Sequence, residues 1–302
     1  MSDAKLLQAL DSRPVAGVPL TNVSLLRLDQ YDALAPGNKW FKLQGYLSSA
    51  RAHGVSRLVS FGGAWSNHLH ALAALGKQEG MTTVGIVRGD DPVALSPTLV
   101  DCQNWGMELV FVSRGEYRRR DDPGYLATLQ SKYADSLLIP EGGSSGPGVA
   151  GCVSLGRMMA DLQSRPGKVM IAAGTGTTLA GVAIGLGEGW QLVGVSALKG
   201  AHDMQGRIEA GIQQAAPSSP VASWQVLHDH HCGGFARVSP ELQAFMLEFE
   251  AVYGVLLDPI YTAKVLFALH QLRASGAWPV EEAVTVVHTG GLQGRRGFNW
   301  LS

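Results

Sequence analysis

The chain is built on one recurrence: a short apolar run, a glycine-rich turn at its end, then a stretch with helical pattern. Arg57 to Phe61 (Arg-Leu-Val-Ser-Phe) runs into Gly62-Gly63, and His68 to Gln78 follows as an Ala/Leu-rich helix. Met81 to Val87 and Glu108 to Val112 are two further strands, and Leu137 to Pro140 is a fourth, ending at Glu141-Gly142-Gly143. After a helix from about Ala150 to Gln163, Lys168 to Ala173 feeds Gly174-Thr175-Gly176. Gln191 to Ser196 is another strand, and Ala283 to Val287 leads into His288-Thr289-Gly290-Gly291. Strands that are apolar throughout are covered on both faces, and their alternation with helices makes them parallel. The expected class is α/β, with open, twisted, mostly parallel sheets flanked by helices. Ligands bind such sheets outside the carboxyl ends of the strands. Each glycine-rich turn sits at a carboxyl end, so the turns should converge on one cleft.

A chain of 302 residues has room for two such lobes. The expected division is a smaller α/β domain over 50–152 and a larger one from 1–49 plus 153–302, with one continuous domain as the alternative. Hydrophobic residues at 46% against charged residues at 16% supply a packed core and exclude disorder. A net charge of −1 leaves no basic field for nucleic acid and no polybasic patch for a membrane surface. No apolar stretch reaches the roughly 18 residues of a membrane span. The start, Met-Ser-Asp-Ala-Lys-Leu-Leu, lacks the apolar region of a secretory signal. Cys102, Cys152 and Cys232 are odd in number and scattered, which fits a reducing compartment. A cytoplasmic protein is expected.

Gly174-Thr175-Gly176-Thr177-Thr178 follows an apolar strand and opens a helix. Glycines let the backbone approach an anion, and the free N–H groups and dipole of the helix start attract it. Three threonine hydroxyls add donors for phosphate. An ordinary strand-to-helix turn is the bland alternative. A dinucleotide site would want an acidic residue at the end of the next strand, where Ser196-Ala197 stands, and no Gly-Lys-Ser/Thr follows to make a nucleotide loop. A lone phosphate on a small cofactor fits best. Ser66, Asn67 and His68, behind Gly62-Gly63, could receive a substrate carboxylate at a helix start, although simple capping explains Ser66 or Asn67 equally well. Lys39 lies between Asn38 and Trp40-Phe41, and burial against aromatic rings would leave its amine neutral and nucleophilic. Lys42 follows one turn later on the same face. Tyr261, after Asp258-Pro259, is either an acid/base hydroxyl or a packing residue. The run His228-Asp229-His230-His231-Cys232 has no second ligand group at a metal-site spacing, so no metal is expected.

Six motifs in order, Gly37-Asn38-Lys39-x-x-Lys42, Gly62-Gly63-x-x-Ser66-Asn67, Glu141-Gly142-Gly143-Ser144, Gly174 to Thr178, Asp258-Pro259-x-Tyr261 and His288-Thr289-Gly290-Gly291, resemble one family. It is the D-cysteine desulfhydrase and 1-aminocyclopropane-1-carboxylate deaminase family of fold-type-II enzymes, similar to the tryptophan synthase β subunit, which use pyridoxal 5'-phosphate. The resemblance implies that Lys39 is the Schiff-base lysine and that Asn67 bonds the cofactor's ring hydroxyl. It implies that Gly174, Thr175, Gly176, Thr177 and Thr178 hold the phosphate with help from Lys42, and that Thr289 meets the pyridine nitrogen. Ser66, Asn67, His68 and Tyr261 would face a small amino-acid substrate, in a homodimer. Family deaminases carry Glu beside the tyrosine and Leu in the last turn, whereas desulfhydrases carry Ser or Thr, and Thr; here the residues are Thr262 and Thr289. The implied reaction is elimination from D-cysteine to pyruvate, hydrogen sulfide and ammonia. Deamination of the cyclopropane amino acid, another lyase or racemase activity, and a non-catalytic ligand-binding role remain as alternatives. Two departures stand out: Phe235 follows Gly233-Gly234 where the family has a tyrosine, and Phe41 replaces an arginine.

Overall fold

The computed structural model describes residues 3–301. In chain order the strands are β1 (Leu7–Ala9), β2 (Pro14–Val15), β3 (Val18–Pro19), β4 (Val23–Arg27), β5 (Arg57–Gly62) and β6 (Thr82–Arg88). They continue as β7 (Glu108–Val112), β8 (Ser136–Ile139), β9 (Lys168–Ala173), β10 (Gln191–Ser196), β11 (Ser223–Leu227) and β12 (Val284–His288). The helices are α1 (Asn38–Ala52), α2 (Asn67–Glu79), α3 (Pro97–Asn104), α4 (Arg114–Tyr117) and α5 (Pro123–Lys132). After them come α6 (Gly146–Asp161), α7 (Thr177–Leu186), α8 (Met204–Ala215), α9 (Pro240–Tyr253) and α10 (Thr262–Ala274).

Two sheets carry the architecture. The larger has the order β1-β4-β12-β9-β10-β11, parallel except for β1, which runs against β4. The smaller, β7-β6-β5-β8, is parallel throughout. Both are covered on both faces, as the unbroken apolar runs require. In β9 the alternation of a strand sends Val169, Ile171 and Ala173 to one core and Met170 and Ala172 to the other. In β5, Leu58 and the pair Val59 and Phe61 likewise divide between the two cores of the smaller sheet. The α/β class and the sheet character therefore follow the sequence expectation. Among the described residues no helix is long and apolar enough to cross a membrane.

Strands β1 to β4 and β11 were not expected, and two departures bear on the site. Strand β4 completes the larger sheet beside β12 although Val-Ser-Leu-Leu-Arg is too short to announce itself between turns. Helix α6 begins at Gly146 rather than near Ala150, because Pro147 sits in the first turn, where its missing N–H costs nothing. Its glycines serve packing instead. A Cβ on Gly45 of α1 would lie 1.8 Å from the Pro147 carbonyl oxygen, so α1 and α6 meet backbone to backbone. That contact fixes the start of α1, which carries Lys39 and Lys42, over the carboxyl ends of the strands.

Candidate active site

Gly37 makes the decisive junction. Its φ is +106°, and a Cβ there would fall 2.2 Å from the Thr289 carbonyl oxygen. Only glycine permits this approach. An antiparallel bridge to Gly290 and a 3.2 Å bond from the Asn38 amide to the Thr289 carbonyl then lock α1 onto the end of β12. The turn beyond β12 is set by His288, whose Nε2 donates to the Leu256 carbonyl (2.7 Å) while Nδ1 accepts from the Gly290 amide (3.2 Å). Asn38 Nδ2 in turn donates to Thr178 Oγ1 at 3.0 Å. Three segments distant in sequence are thus tied together around Lys39.

Lys39 is largely buried, with Nζ 3.5 Å from Asn38 Oδ1. Burial pushes its amine below the usual lysine range, offset in part by Cys152 and Asp258. Lys42 is 2% exposed and donates to the Gly142 carbonyl at 3.0 Å. Burial first, then the neighbouring charge of Lys39, brings it down to about 7. Among the described residues neither lysine has a carboxylate partner. Two buried amines without a carboxylate counter-ion are suited to an anion.

The loop before α7 completes that site. Gly176 is left-handed (φ +83°) and caps α7, and the hydroxyls of Thr175 and Thr177 stand 3.0 Å apart. Thr177 and Thr178 are buried, so their donors are protected from water. Tyr261 closes the side, its ring 3.4 Å from where a Gly174 Cβ would be. Asp258 holds that tyrosine by accepting from the amides of Ile260 (3.1 Å), Tyr261 (2.7 Å) and Thr262 (2.8 Å). Burial, then the charges of Asp258 and Glu141, raises the phenol above its normal range, so it stays protonated. Thr289 Oγ1 lies 3.3 Å from Thr262 Oγ1, which also accepts from the Thr289 amide at 3.2 Å.

The Ser66-Asn67-His68 turn divides its roles. The Ser66 hydroxyl is the cap of α2, accepting from the Leu69 amide at 3.2 Å. Asn67 Oδ1 accepts from Gln293 Nε2 at 2.6 Å, while its Nδ2 lies against Gly291. His68 lies underneath. The single Ser60 hydroxyl proton goes to the Ile139 carbonyl (2.8 Å), so His68 Nε2 must donate to Ser60 (2.8 Å) and Nδ1 is left as a bare, buried acceptor. Burial, then Lys39 and Lys42, hold this histidine neutral, its value well below the ordinary range. A bare acceptor suits a donor group. A role for His68 toward a substrate carboxylate stays an expectation from the sequence.

Contacts thus link the segments that carry Lys39 and Lys42, Asn67, the Gly174–Thr178 loop, Tyr261 and Thr289. Asn38, Ser60, Asp258 and Gln293 act behind them; Asn38, in the motif with Lys39, and Asp258-Pro259 before a helix were the readable signals among these. The donor set fits a phosphorylated cofactor with an aldehyde within reach of a neutral lysine. Phe235, 52% exposed, stands 6.3 Å (ring centroids) from Tyr261 and brings no hydroxyl to it. Phe41 is buried against Tyr31 and Trp40.

The sequence profile of the family described as "Pyridoxal-phosphate dependent enzyme" matches residues 20–290. A Thermotoga maritima protein carrying the provisional name 1-aminocyclopropane-1-carboxylate deaminase is 28% identical over 90% of this chain and 89% of its own length. A D-cysteine desulfhydrase of Klebsiella pneumoniae is 27% identical over 84% of this chain and 82% of its own. A crystal structure described as that of an ACC deaminase homologue superimposes with a TM-score of 0.81, at 24% identity, covering 98% of this chain and 92% of that one.

Proposed function

The chain belongs to the pyridoxal-phosphate dependent enzymes, and on that premise we propose that it eliminates the β-substituent of a small amino acid, D-cysteine being the favoured substrate. The products would be pyruvate, hydrogen sulfide and ammonia. The carrying observation is the pair of neutral hydroxyls, Thr262 and Thr289, beside Tyr261. No carboxylate stands at 262 to add a proton acceptor there. The similarity to a D-cysteine desulfhydrase supports the same reading.

Pyridoxal phosphate, when bound, supplies an electron sink for charge developing at the substrate's Cα. Lys39 provides the amine that links to it, and the burial that lowers its pKa keeps Nζ available to take the α-proton. Lys42, Thr175, Thr177 and Thr178 would hold the phosphate. Asn67, fixed by Gln293, would orient the ring, and Thr289 would offer the pyridine nitrogen a hydroxyl rather than a carboxylate. The amides at the start of α2 would receive the substrate carboxylate. Tyr261, kept protonated, would donate to the leaving group or hold it.

A second reading, 1-aminocyclopropane-1-carboxylate deamination, is favoured by the Thermotoga maritima relative. One panel separates them. D-cysteine should yield sulfide and pyruvate, and release of 2-oxobutyrate from the cyclopropane substrate without sulfide from D-cysteine would reverse the choice. The Lys39→Ala variant should bind cofactor without the visible absorbance of the covalent form; retention of that absorbance would overturn the assignment of Lys39.

A further inference from the structure

A second cluster of cations lies outside the residues assigned above. Arg88 ends β6, and Arg114, Arg118 and Arg120 come from the run Arg-Gly-Glu-Tyr-Arg-Arg-Arg in and after α4. With Tyr117 and Glu141 they line a cavity of about 340 Å³. Tyr117 is the platform. Its buried ring has the Arg88 guanidinium 5.7 Å and the Arg120 guanidinium 5.3 Å from its centroid. Its hydroxyl donates to Glu141 Oε1 at 2.7 Å, and Arg120 Nε lies 2.7 Å from Glu141 Oε2.

Those contacts use both oxygens of the only carboxylate in the lining. Arg88, Arg114 and Arg118 form no ion pair among the described residues. Three unpaired guanidiniums gathered on a concave wall raise the local potential, although the whole chain carries −1. Arg119, by contrast, turns away from the cavity to Asp122 (3.6 Å) and the Tyr125 ring (5.4 Å). The planar, forked geometry of guanidinium matches carboxylate and phosphate oxygens.

The cavity also adjoins the site. Arg88 Nη2 is 3.5 Å from where a Gly63 Cβ would be, in the loop leading to Ser66-Asn67-His68. Glu141 precedes Gly142, whose carbonyl holds Lys42. We propose that this pocket is an anion subsite beside the cofactor site, taking a small molecule with two or more negative charges, a dicarboxylate or a phosphate ester. The charge is carried either on the far end of the amino-acid substrate, an extension that rests on the proposed function, or on a separate effector.

Calorimetry on cofactor-loaded protein, in which the phosphate loop is already filled, tests this with succinate and pyrophosphate as probes. Binding should weaken tenfold or more in the Arg88→Gln/Arg118→Gln variant and remain unchanged in Arg119→Gln. It should also weaken between about 20 and 300 mM salt, as the Debye length shortens. Circular dichroism and the visible cofactor band verify that each variant is folded and loaded. Absence of heat with either probe, or equal affinity in wild type and the double variant, would overturn the proposal. Aspartate and phosphoserine then separate the sources. If the substrate carries the charge, these amino acids perturb the cofactor band, compete with succinate and lose affinity in the double variant. If an effector carries it, the probes shift the spectral titration by a small neutral amino acid to a finite limit without displacing that amino acid. Loss of elimination activity would leave the calorimetric result untouched, so the two readings fail separately.

Discussion

Replacing Lys42 with methionine measures how the phosphate site manages its charge. The Lys42 stem packs against Gly143 and Gly148, contacts that methionine largely retains. With a value of about 7, roughly one tenth of the Lys42 side chains are protonated at pH 8. A bound dianion that favours the ammonium about a hundredfold, worth about 3 kcal/mol, would raise that share to about nine tenths. The apoprotein should therefore take up about 0.8 proton per anion bound at pH 8. Sulfate is the suitable probe, since it does not itself titrate in this range. Calorimetry in two buffers of different ionisation enthalpy reads the uptake directly. Lys42→Met should reduce uptake by more than half and affinity by about tenfold at pH 8, the loss approaching a hundredfold near pH 6. Lys39 stands on both sides of this comparison, so the difference reports Lys42. Equal uptake and equal affinity in the two proteins would refute the placement of Lys42 against the phosphate.

Gly37→Ala forces a Cβ to 2.2 Å from the Thr289 oxygen at a φ of +106°. Urea unfolding should show a loss of at least about 2 kcal/mol, with weaker cofactor uptake, and an unchanged midpoint would refute the junction. His68 should remain neutral, with its proton on Nε2, at the ordinary histidine midpoint near about pH 6.5 in nitrogen-detected NMR of the folded protein; an imidazolium there would refute its placement. The sign for stability follows. Because the folded value is depressed, the unfolded chain binds the extra proton first, so stability falls as pH drops below about 6.5.

The fold was readable because burial on both faces leaves no polar alternation in a parallel strand. Val-Met-Ile-Ala-Ala in β9 must be central whatever its partners. Strand order was not readable. The pairing of β12 with β4 and β9 joins residues about 260 and 115 positions apart, and nothing local in Val284–His288 records either neighbour. Strand β4 illustrates the limit: five residues ending in a buried arginine gain their identity from the sheet, where Arg27 is neutralised by Asp29 at 2.7 Å.

For the site, the same distinction separates residues proposed to touch a ligand from residues that hold them. Lys39, Asn67 and the threonine loop carry chemistry in their residue type and stand beside glycines, so sequence pattern finds them. Asn38, Ser60 and Gln293 are ordinary polar residues whose importance lies in a partner far along the chain. Ser60 matters because its one proton is spent on Ile139, which dictates the tautomer of His68. That dependence also bears on a role. A histidine beside a serine and an asparagine reads as a donor for a carboxylate, yet a neutral ring with its N–H turned inward offers only a lone pair to the site. Burial generates most of that neutrality, and the two lysines add to it. Anion binding and histidine protonation are coupled through the lesser, lysine part of that shift: an anion seated on Lys42 offsets the lysine charge but not the burial. His68 reports on occupancy of the phosphate site, and its folded-state pKa should rise when the anion binds.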